Sequence, residues 1–312
     1  MSRSQFMTDA LYDGLIIRSI GGLYTVACGE ELVDCRARGK FRLDDIRPMV
    51  GDRVRILRPE SGTAVIREIC PRTNSLIRPA VANIGTLVVI CSEAPPVTQT
   101  FLIDRVSAIA GHKGIDMVVC INKCDLMRGD ALREIYRQAG FRVIRTSAET
   151  GEGIDELRDI MREGIFVLTG NSGVGKSSLL NRIDPAWSAE VGALSARIGR
   201  GRQTTRHVEL YRLPNGAYVA DTPGFQSFDV ERMDLVLRDD LARAFREFAD
   251  YIPKCRYSDC RHIGEQGCAV TKAVAAGEIP QSRYESYRML YDSMKDIHEW
   301  ELKKPDKPEG RV

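Results

Sequence analysis

Gly170-Asn171-Ser172-Gly173-Val174-Gly175-Lys176-Ser177 fits the pattern G-x-x-x-x-G-K-[ST]. It follows the apolar run Gly164 to Thr169, read as a buried strand, and Ser178-Leu179-Leu180-Asn181 then opens a helix. Strand, loop and helix in that order form a phosphate cradle. Glycines let backbone N–H groups close around phosphate oxygens, and the helix start adds the positive end of its dipole. Lys176 is expected to reach the β- and γ-phosphates, and the Ser177 hydroxyl to ligate Mg²⁺, with Ser178 completing the loop's contacts.

A second motif, Asn122-Lys123-Cys124-Asp125, ends the apolar strand Met117 to Ile121, at the carboxyl end where open α/β sheets bind ligands. The Asp125 carboxylate can accept both donors of a guanine edge, a pair that adenine lacks. Asn122 is expected to bond the other side of the base or to brace neighbouring loops. After the strand Phe141 to Ile144, Thr146-Ser147-Ala148 offers the Ala148 N–H to the guanine oxygen. Asp221-Thr222-Pro223-Gly224 ends the strand Ala217 to Ala220; Asp221 is expected to hold Mg²⁺ through water and the Gly224 N–H to sense the γ-phosphate. Between the phosphate loop and this motif, residues 197–206 carry four Arg and no acid. Thr205 there is expected to complete the Mg²⁺ shell only when the γ-phosphate is present, giving a segment ordered by GTP.

The order of these parts is unusual. In the common GTPase order the phosphate loop comes first and the base readers last, whereas here Asn122–Asp125 precedes Gly170–Ser177. Phe225 stands where Ras-like enzymes carry the water-orienting glutamine, so Gln203 and His207 are the candidates for that task.

A third constellation lies near the other end. Cys255, Cys260, His262 and Cys268 bring three of nine cysteines and one of four histidines into fourteen residues. Three thiolates and an imidazole make a closed tetrahedral zinc set with no position for water, hence a structural site; free thiols that merely lie close together are the alternative. Cys28, Cys91 and Cys120 fall in apolar strands instead, which suits a reducing cytoplasm better than a disulfide framework.

The elements that must position these groups follow from the pattern. Residues 11–70 alternate short apolar runs with turns, as a small antiparallel β-barrel does, and an OB-type barrel suits the length. Eight Arg or Lys against three Asp in residues 36–58 make that region basic. Arg72 to Ser75 reads as a linker. Residues 76–229 alternate strands with helices expected at Gln99–Gly111, Ala131–Ala139 and Ile154–Arg162, and the chain turns helical from about 230. The expected division is therefore 1–72 barrel, 73–229 α/β P-loop domain with permuted order, and 230–312 zinc-bearing helical domain. The 312 residues carry a net charge of +2, no apolar run near the length of a membrane span and no signal-peptide pattern. Trp187 reads as a packing residue and His112 as a surface one.

With the β-rich N-terminal part, the permuted motif order and Cys-x4-Cys-x-His-x5-Cys, residues from about 11 to 300 resemble the RsgA family of circularly permuted GTPases, which act in maturation of the bacterial small ribosomal subunit. The resemblance implies an OB-fold barrel, binding to the small subunit and its rRNA, GTP hydrolysis stimulated by that particle, and release after hydrolysis. It implies that Asn122, Lys123 and Asp125 read the base, that Gly170 through Ser178 hold phosphates, and that Cys255, Cys260, His262 and Cys268 bind one structural zinc. The apolar Phe225 agrees with the family. Gln203 departs from it: members often have histidine there, and an amide can position water but cannot act as a base near neutral pH. A cytoplasmic monomer is expected. Two rival readings are a zinc-handling GTPase and an rRNA-binding assembly factor that keeps GTP as a structural ligand.

Overall fold

The computed structural model describes residues 11–37, 41, 47–59, 62–77, 79–187, 208–221 (residue 221 by its backbone), 236 and 238–294. Five strands form the first unit: β1 (Leu11–Ile20), β2 (Leu23–Cys28), β3 (Glu31–Ala37), β4 (Arg53–Leu57) and β5 (Ala64–Ile69). They pair in the closed circle β1-β2-β3-β5-β4-β1, with β3 and β5 parallel and the remaining pairs antiparallel. This is the OB-like barrel expected from the sequence. Closure requires β1 to serve two neighbours, and it bends where its register to β2 shifts between Ile16 and Arg18. Gly14 lies in the crowded stretch, where a Cβ would fall 2.3 Å from Val26 Cγ1.

Residues 72–75 are no free linker. The buried Asp52 carboxylate accepts two bonds from Arg72, at 2.6 and 2.8 Å, and one from the Met49 N–H at 2.8 Å. Asn74 exchanges two 2.9 Å bonds with the Ile84 backbone, and Asn83 donates to the Gly51 carbonyl at 2.9 Å. The short hairpin β6 (Ser75–Leu76) and β7 (Val81–Ala82) completes this clasp between barrel and sheet. Polar residues that read as a loop are here spent on satisfying buried backbone groups.

The second unit contains β8 (Thr86–Cys91), α1 (Thr100–Lys113), β9 (Asp116–Ile121), α2 (Asp130–Gln138), β10 (Arg142–Arg145), α3 (Ile154–Ile160), β11 (Ile165–Thr169), α4 (Lys176–Ile183), β12 (Glu209–Arg212) and β13 (Tyr218–Asp221). Strands β10-β9-β8-β11-β13 are parallel, and β12 joins antiparallel at the edge. Period-two alternation sorts the sheet's two faces. Val89, Val119 and Val167 face α1 and α2, while Val88, Val118, Phe166 and Leu168 face α3 and α4. The barrel continues the sheet: β1 pairs β12 at Arg18 and Glu209, and Arg212 ion-pairs with Glu30.

The last unit, α5 (Leu241–Ala244), two short 3-10 turns, α6 (Ala269–Ala275) and α7 (Gln281–Ser293), packs on α1. Helices approach closely at Gly111, where a Cβ would lie 2.4 Å from the Ala244 carbonyl oxygen. Between α7 and α1 lies Arg283, fully buried. It donates to Asp104 at 2.8 Å, to Ser107 at 2.7 Å and to both oxygens of Glu247 at 2.6 and 3.0 Å. The Phe245 ring lies 4.7 Å from the guanidinium. Burial alone would depress the Arg283 pKa, but Glu247 and Asp104 outweigh it and hold it above the ordinary arginine value.

Candidate nucleotide site and metal cluster

Three loops meet at the carboxyl ends of β9, β10 and β11, and one side chain ties them together. Asn122 is buried; its amide donates to the Val174 carbonyl at 2.8 Å, inside the phosphate loop. Its Oδ1 accepts from the Thr146 hydroxyl at 3.2 Å and the Ala148 N–H at 3.3 Å. These contacts are the bracing role, one of the two expected for Asn122. The contact sets the loop's chain requirement too: a Cβ at Gly175 (φ +101°) would fall 2.2 Å from the Asn122 amide nitrogen. Gly170 (φ +150°) is equally confined, with 2.1 Å from such a Cβ to the Ile90 carbonyl oxygen.

Asp125 is exposed and its Oδ1 accepts from the buried Ser147 hydroxyl at 2.5 Å, which aims the carboxylate. Lys123 adopts a left-handed backbone (φ +64°) and donates to the Pro95 carbonyl at 2.7 Å. Cys124 turns inward; its thiol is buried and donates to the Ile121 carbonyl at 3.1 Å, so its side chain faces the core.

The helix after the phosphate loop starts at Lys176, two residues earlier than expected, which places Ser177 and Ser178 exposed in its first turn. The Lys176 ammonium bonds the carbonyls of Gly170 at 2.7 Å and Asn171 at 2.8 Å, bridging the cradle. Burial lowers its pKa, a cost that an anion in the cradle would relieve. Asp221 sits at the carboxyl end of β13, beside β11 in a register that pairs Val167 with Ala220. Gln203, Thr205, His207, Gly224 and Phe225 lie outside the described residues.

The metal candidates come together in the last unit. The ligand atoms of Cys255, Cys260, His262 and Cys268 all lie within 4.8 Å of one another. His262 Nδ1 is 3.5 Å from the sulfurs of both Cys255 and Cys268, close to the ~3.6 Å nitrogen–sulfur edge that a zinc–nitrogen bond of about 2.05 Å and a zinc–sulfur bond of about 2.3 Å give a tetrahedron. The Ala269 N–H donates to Cys255 Sγ at 3.3 Å and the Thr271 N–H to Cys268 Sγ at 3.5 Å. Such donors stabilise sulfur carrying negative charge, so this donor set fits a bound divalent metal. Burial lowers the His262 pKa and favours the neutral imidazole that a metal needs.

Sequence reasoning passes over Glu265, whose carboxylate accepts from the N–H groups of Arg261 at 2.7 Å, Ile263 at 2.9 Å and Gly264 at 3.2 Å. It shapes the loop that carries His262, itself in a left-handed conformation (φ +59°). The only available signal is a carboxylate beside glycine in a cysteine-rich stretch. On the barrel, the Arg58 guanidinium stacks 4.9 Å from the exposed Tyr12 ring.

Comparisons with known proteins agree with this geometry. Residues 69–231 match the model of the RsgA GTPase and residues 13–66 that of the RsgA N-terminal domain. A small ribosomal subunit biogenesis GTPase RsgA of Caldanaerobacter subterraneus subsp. tengcongensis is 40% identical over 286 residues, covering 91% of this chain and 96% of the relative. The protein of that name from Moorella thermoacetica is 42% identical over 277 residues, covering 88% and 94%. The crystal structure of YjeQ from Thermotoga maritima superposes with a TM-score of 0.78 at 34% identity, over 93% of this chain and 100% of that one. YloQ, described as a circularly permuted GTPase, gives 0.76 at 32% identity over 95% and 99%. The chain therefore belongs to the RsgA GTPase family and is a GTP hydrolase.

Proposed function

We propose that this protein binds the small ribosomal subunit through its rRNA, hydrolyses GTP to GDP and phosphate with stimulation by that particle, and leaves after hydrolysis during late subunit maturation. The observation that carries the reading is Asn122, which ties the phosphate loop to the loop after β10 in a unit joined on one side to a barrel and on the other to a metal-ligand cluster. Relatives 40% and 42% identical over most of the chain are named small ribosomal subunit biogenesis GTPases. In this reading the protein works in the cytoplasm as a monomer. No helix among the described residues is long and apolar enough to cross a membrane.

In this reading the domains divide near residues 72 and 229. Asp125 accepts the ring N–H and amine of guanine, and the Ala148 N–H turns from Asn122 Oδ1 to the 6-oxo group. Lys176 turns from the Gly170 and Asn171 carbonyls to the β- and γ-phosphates. Ser177, Thr205 and Asp221 would hold magnesium, which when bound neutralises charge on those phosphates. Gln203 orients the attacking water, His207 being the alternative, and the Gly224 N–H reports the γ-phosphate. Cys255, Cys260, His262 and Cys268 hold one structural zinc, which supplies folding free energy rather than chemistry. Arginines of residues 197–206 and the basic barrel meet rRNA phosphates. The four closely spaced ligands argue against the zinc-handling alternative, since a closed donor set exchanges its metal slowly.

Co-sedimentation with isolated small subunits tests the release step. Binding should be at least tenfold tighter with a non-hydrolysable GTP analogue than with GDP; equal affinity in both states would overturn nucleotide-coupled release.

A further inference from the structure

Reading a base by one backbone N–H demands that the peptide carrying it be held from both sides. The loop after β10 is fixed on its inner side by the Ser147 N–H, which bonds the Glu152 carbonyl at 2.9 Å, while the Ala148 N–H rests on Asn122 Oδ1 at 3.3 Å, the bond that a base oxygen would replace. Its outer side is held by a residue that no nucleotide motif contains. Arg182, six residues beyond Lys176 on α4, donates from Nε to the Ala148 carbonyl at 2.6 Å and from a terminal nitrogen to the Glu149 carbonyl at 2.6 Å.

The base of this strut is itself fixed. Arg158 on α3 donates to the Arg182 carbonyl at 2.6 Å and the Ile183 carbonyl at 3.4 Å, and pairs with Asp155 at 2.5 Å. A guanidinium offers its donors in a rigid planar fork, so two carbonyls bound at once fix the orientation of the peptide between them. That peptide directly follows the Ala148 N–H.

We propose that Arg182 is a positioning residue for recognition of the 6-oxo group of guanine, a role that rests on the reading of Ala148 given above. It acts through the loop and touches no nucleotide atom. Helix α4 thus serves both ends of the ligand, phosphates at its start and base through its last turn.

The test uses the features of the guanine edge. Guanine carries a 6-oxo group, a ring N–H and a 2-amino group; hypoxanthine keeps the 6-oxo group and ring N–H, and 2-aminopurine keeps only the 2-amino group. Affinities of GDP, inosine diphosphate and 2-aminopurine riboside diphosphate are measured by competition against a fluorescent GDP analogue, for the unaltered protein, Arg182→Ala and Arg182→Lys. Arg182→Ala should weaken GDP and inosine diphosphate by the same factor, roughly tenfold for one charge-assisted contact's worth of ordering. The 2-aminopurine nucleotide should change by less than about twofold, because it has no oxygen for the loop to meet. Arg182→Lys, which keeps charge without the fork, should fall between. Equal losses for all three nucleotides, or no loss for any, would overturn the role of Arg182 while leaving the Ala148 reading intact. If the unaltered protein bound the 2-aminopurine nucleotide as tightly as the inosine one, the Ala148 reading would fail, and the proposal with it.

Discussion

Two groups of three cysteines occupy this molecule, and their hydrogen bonds run mainly in opposite directions. Around the Asn122–Asp125 loop, Cys91 donates to the Cys120 carbonyl at 3.6 Å and Cys124 to the Ile121 carbonyl at 3.1 Å, while Cys120 lies 3.3 Å from the Thr146 hydroxyl. Burial pushes all three thiols up, Cys120 to about 12, and it pushes Cys260 of the other group to about 12 as well, so the hydrogen bonds rather than burial separate the groups. In the last unit the sulfurs of Cys255 and Cys268 accept N–H bonds from Ala269 and Thr271, although Cys255 also lies 3.9 Å from the Tyr251 carbonyl. A sulfur that donates behaves as a small apolar side chain; one surrounded by N–H donors is prepared for the charge of a thiolate. Helix starts supply those donors: Cys268 caps α6. Cys91 and Cys120 sit in strands, whose N–H groups serve the ladder, and Cys124 lies in the turn after β9 with its thiol turned to the Ile121 carbonyl.

The sharpest break between the two groups should come from Cys268→Ala. It removes a ligand whose set is worth on the order of 10 kcal/mol of apparent folding free energy when zinc is bound. Metal content should fall from one zinc per chain to near zero and residues 251–294 should become protease-sensitive, with GDP affinity changed less than about threefold. Loss of nucleotide binding in parallel would mean that the two regions fold as one.

Next in size is the ionic contact that joins them. Arg283→Met leaves Asp104 and Glu247 buried without their partner, which should cost about 3–5 kcal/mol in urea unfolding. Replacing all three with apolar residues (Arg283→Met, Asp104→Leu, Glu247→Leu) should recover most of it, because the expense lies in the unpaired charge. A single variant costing under about 1 kcal/mol would show that the helices dock without this contact.

Cys91→Ala should cost only about 1–2 kcal/mol in the same assay, the loss of one buried sulfur, with zinc content unchanged. A metal deficit in that variant would contradict the division between the groups.

The smallest effect concerns pH. Burial alone would raise the Glu265 pKa, but N–H bonds from its own backbone and from Arg261, Ile263 and Gly264 outweigh it and hold the carboxyl below its ordinary value. A depressed carboxylate contributes stability that is present above its unfolded-state pKa and lost as pH falls through the folded one. Stability of the unaltered protein should therefore converge on that of Glu265→Gln as pH drops below the ordinary carboxylate range. A gap that persists there would assign the loop's order to something other than this charge.

Much of the candidate nucleotide site was legible because its parts are contiguous. Gly170 to Ser177 must be written in sequence, since neighbouring N–H groups form one cradle, and Asn122 to Asp125 ends a strand whose apolar run is plain. The barrel was legible as a rhythm of short strands, and its closed pairing follows that rhythm. The clasp at Arg72 and Asn74 was misread as a linker because polar residues near a turn look alike whether solvated or bonded to a buried carboxylate such as Asp52. Arg283 was invisible for a different reason. Its partners Asp104 and Glu247 are 179 and 36 residues away, and an arginine in a helix beside glutamate normally marks a solvated face. Arg182 likewise gains its meaning only from a carbonyl pair 34 and 33 residues earlier. Long-range side-chain contacts leave no local period to detect.

GTP hydrolysis by the purified protein, alone and with isolated small ribosomal subunits, tests the whole account most directly, with ATP and large subunits as controls. The account predicts slow turnover alone, since Phe225 cannot orient water, and stimulation of tenfold or more by small subunits, specific to GTP. Turnover that small subunits leave unchanged, or that large subunits raise equally, would contradict it.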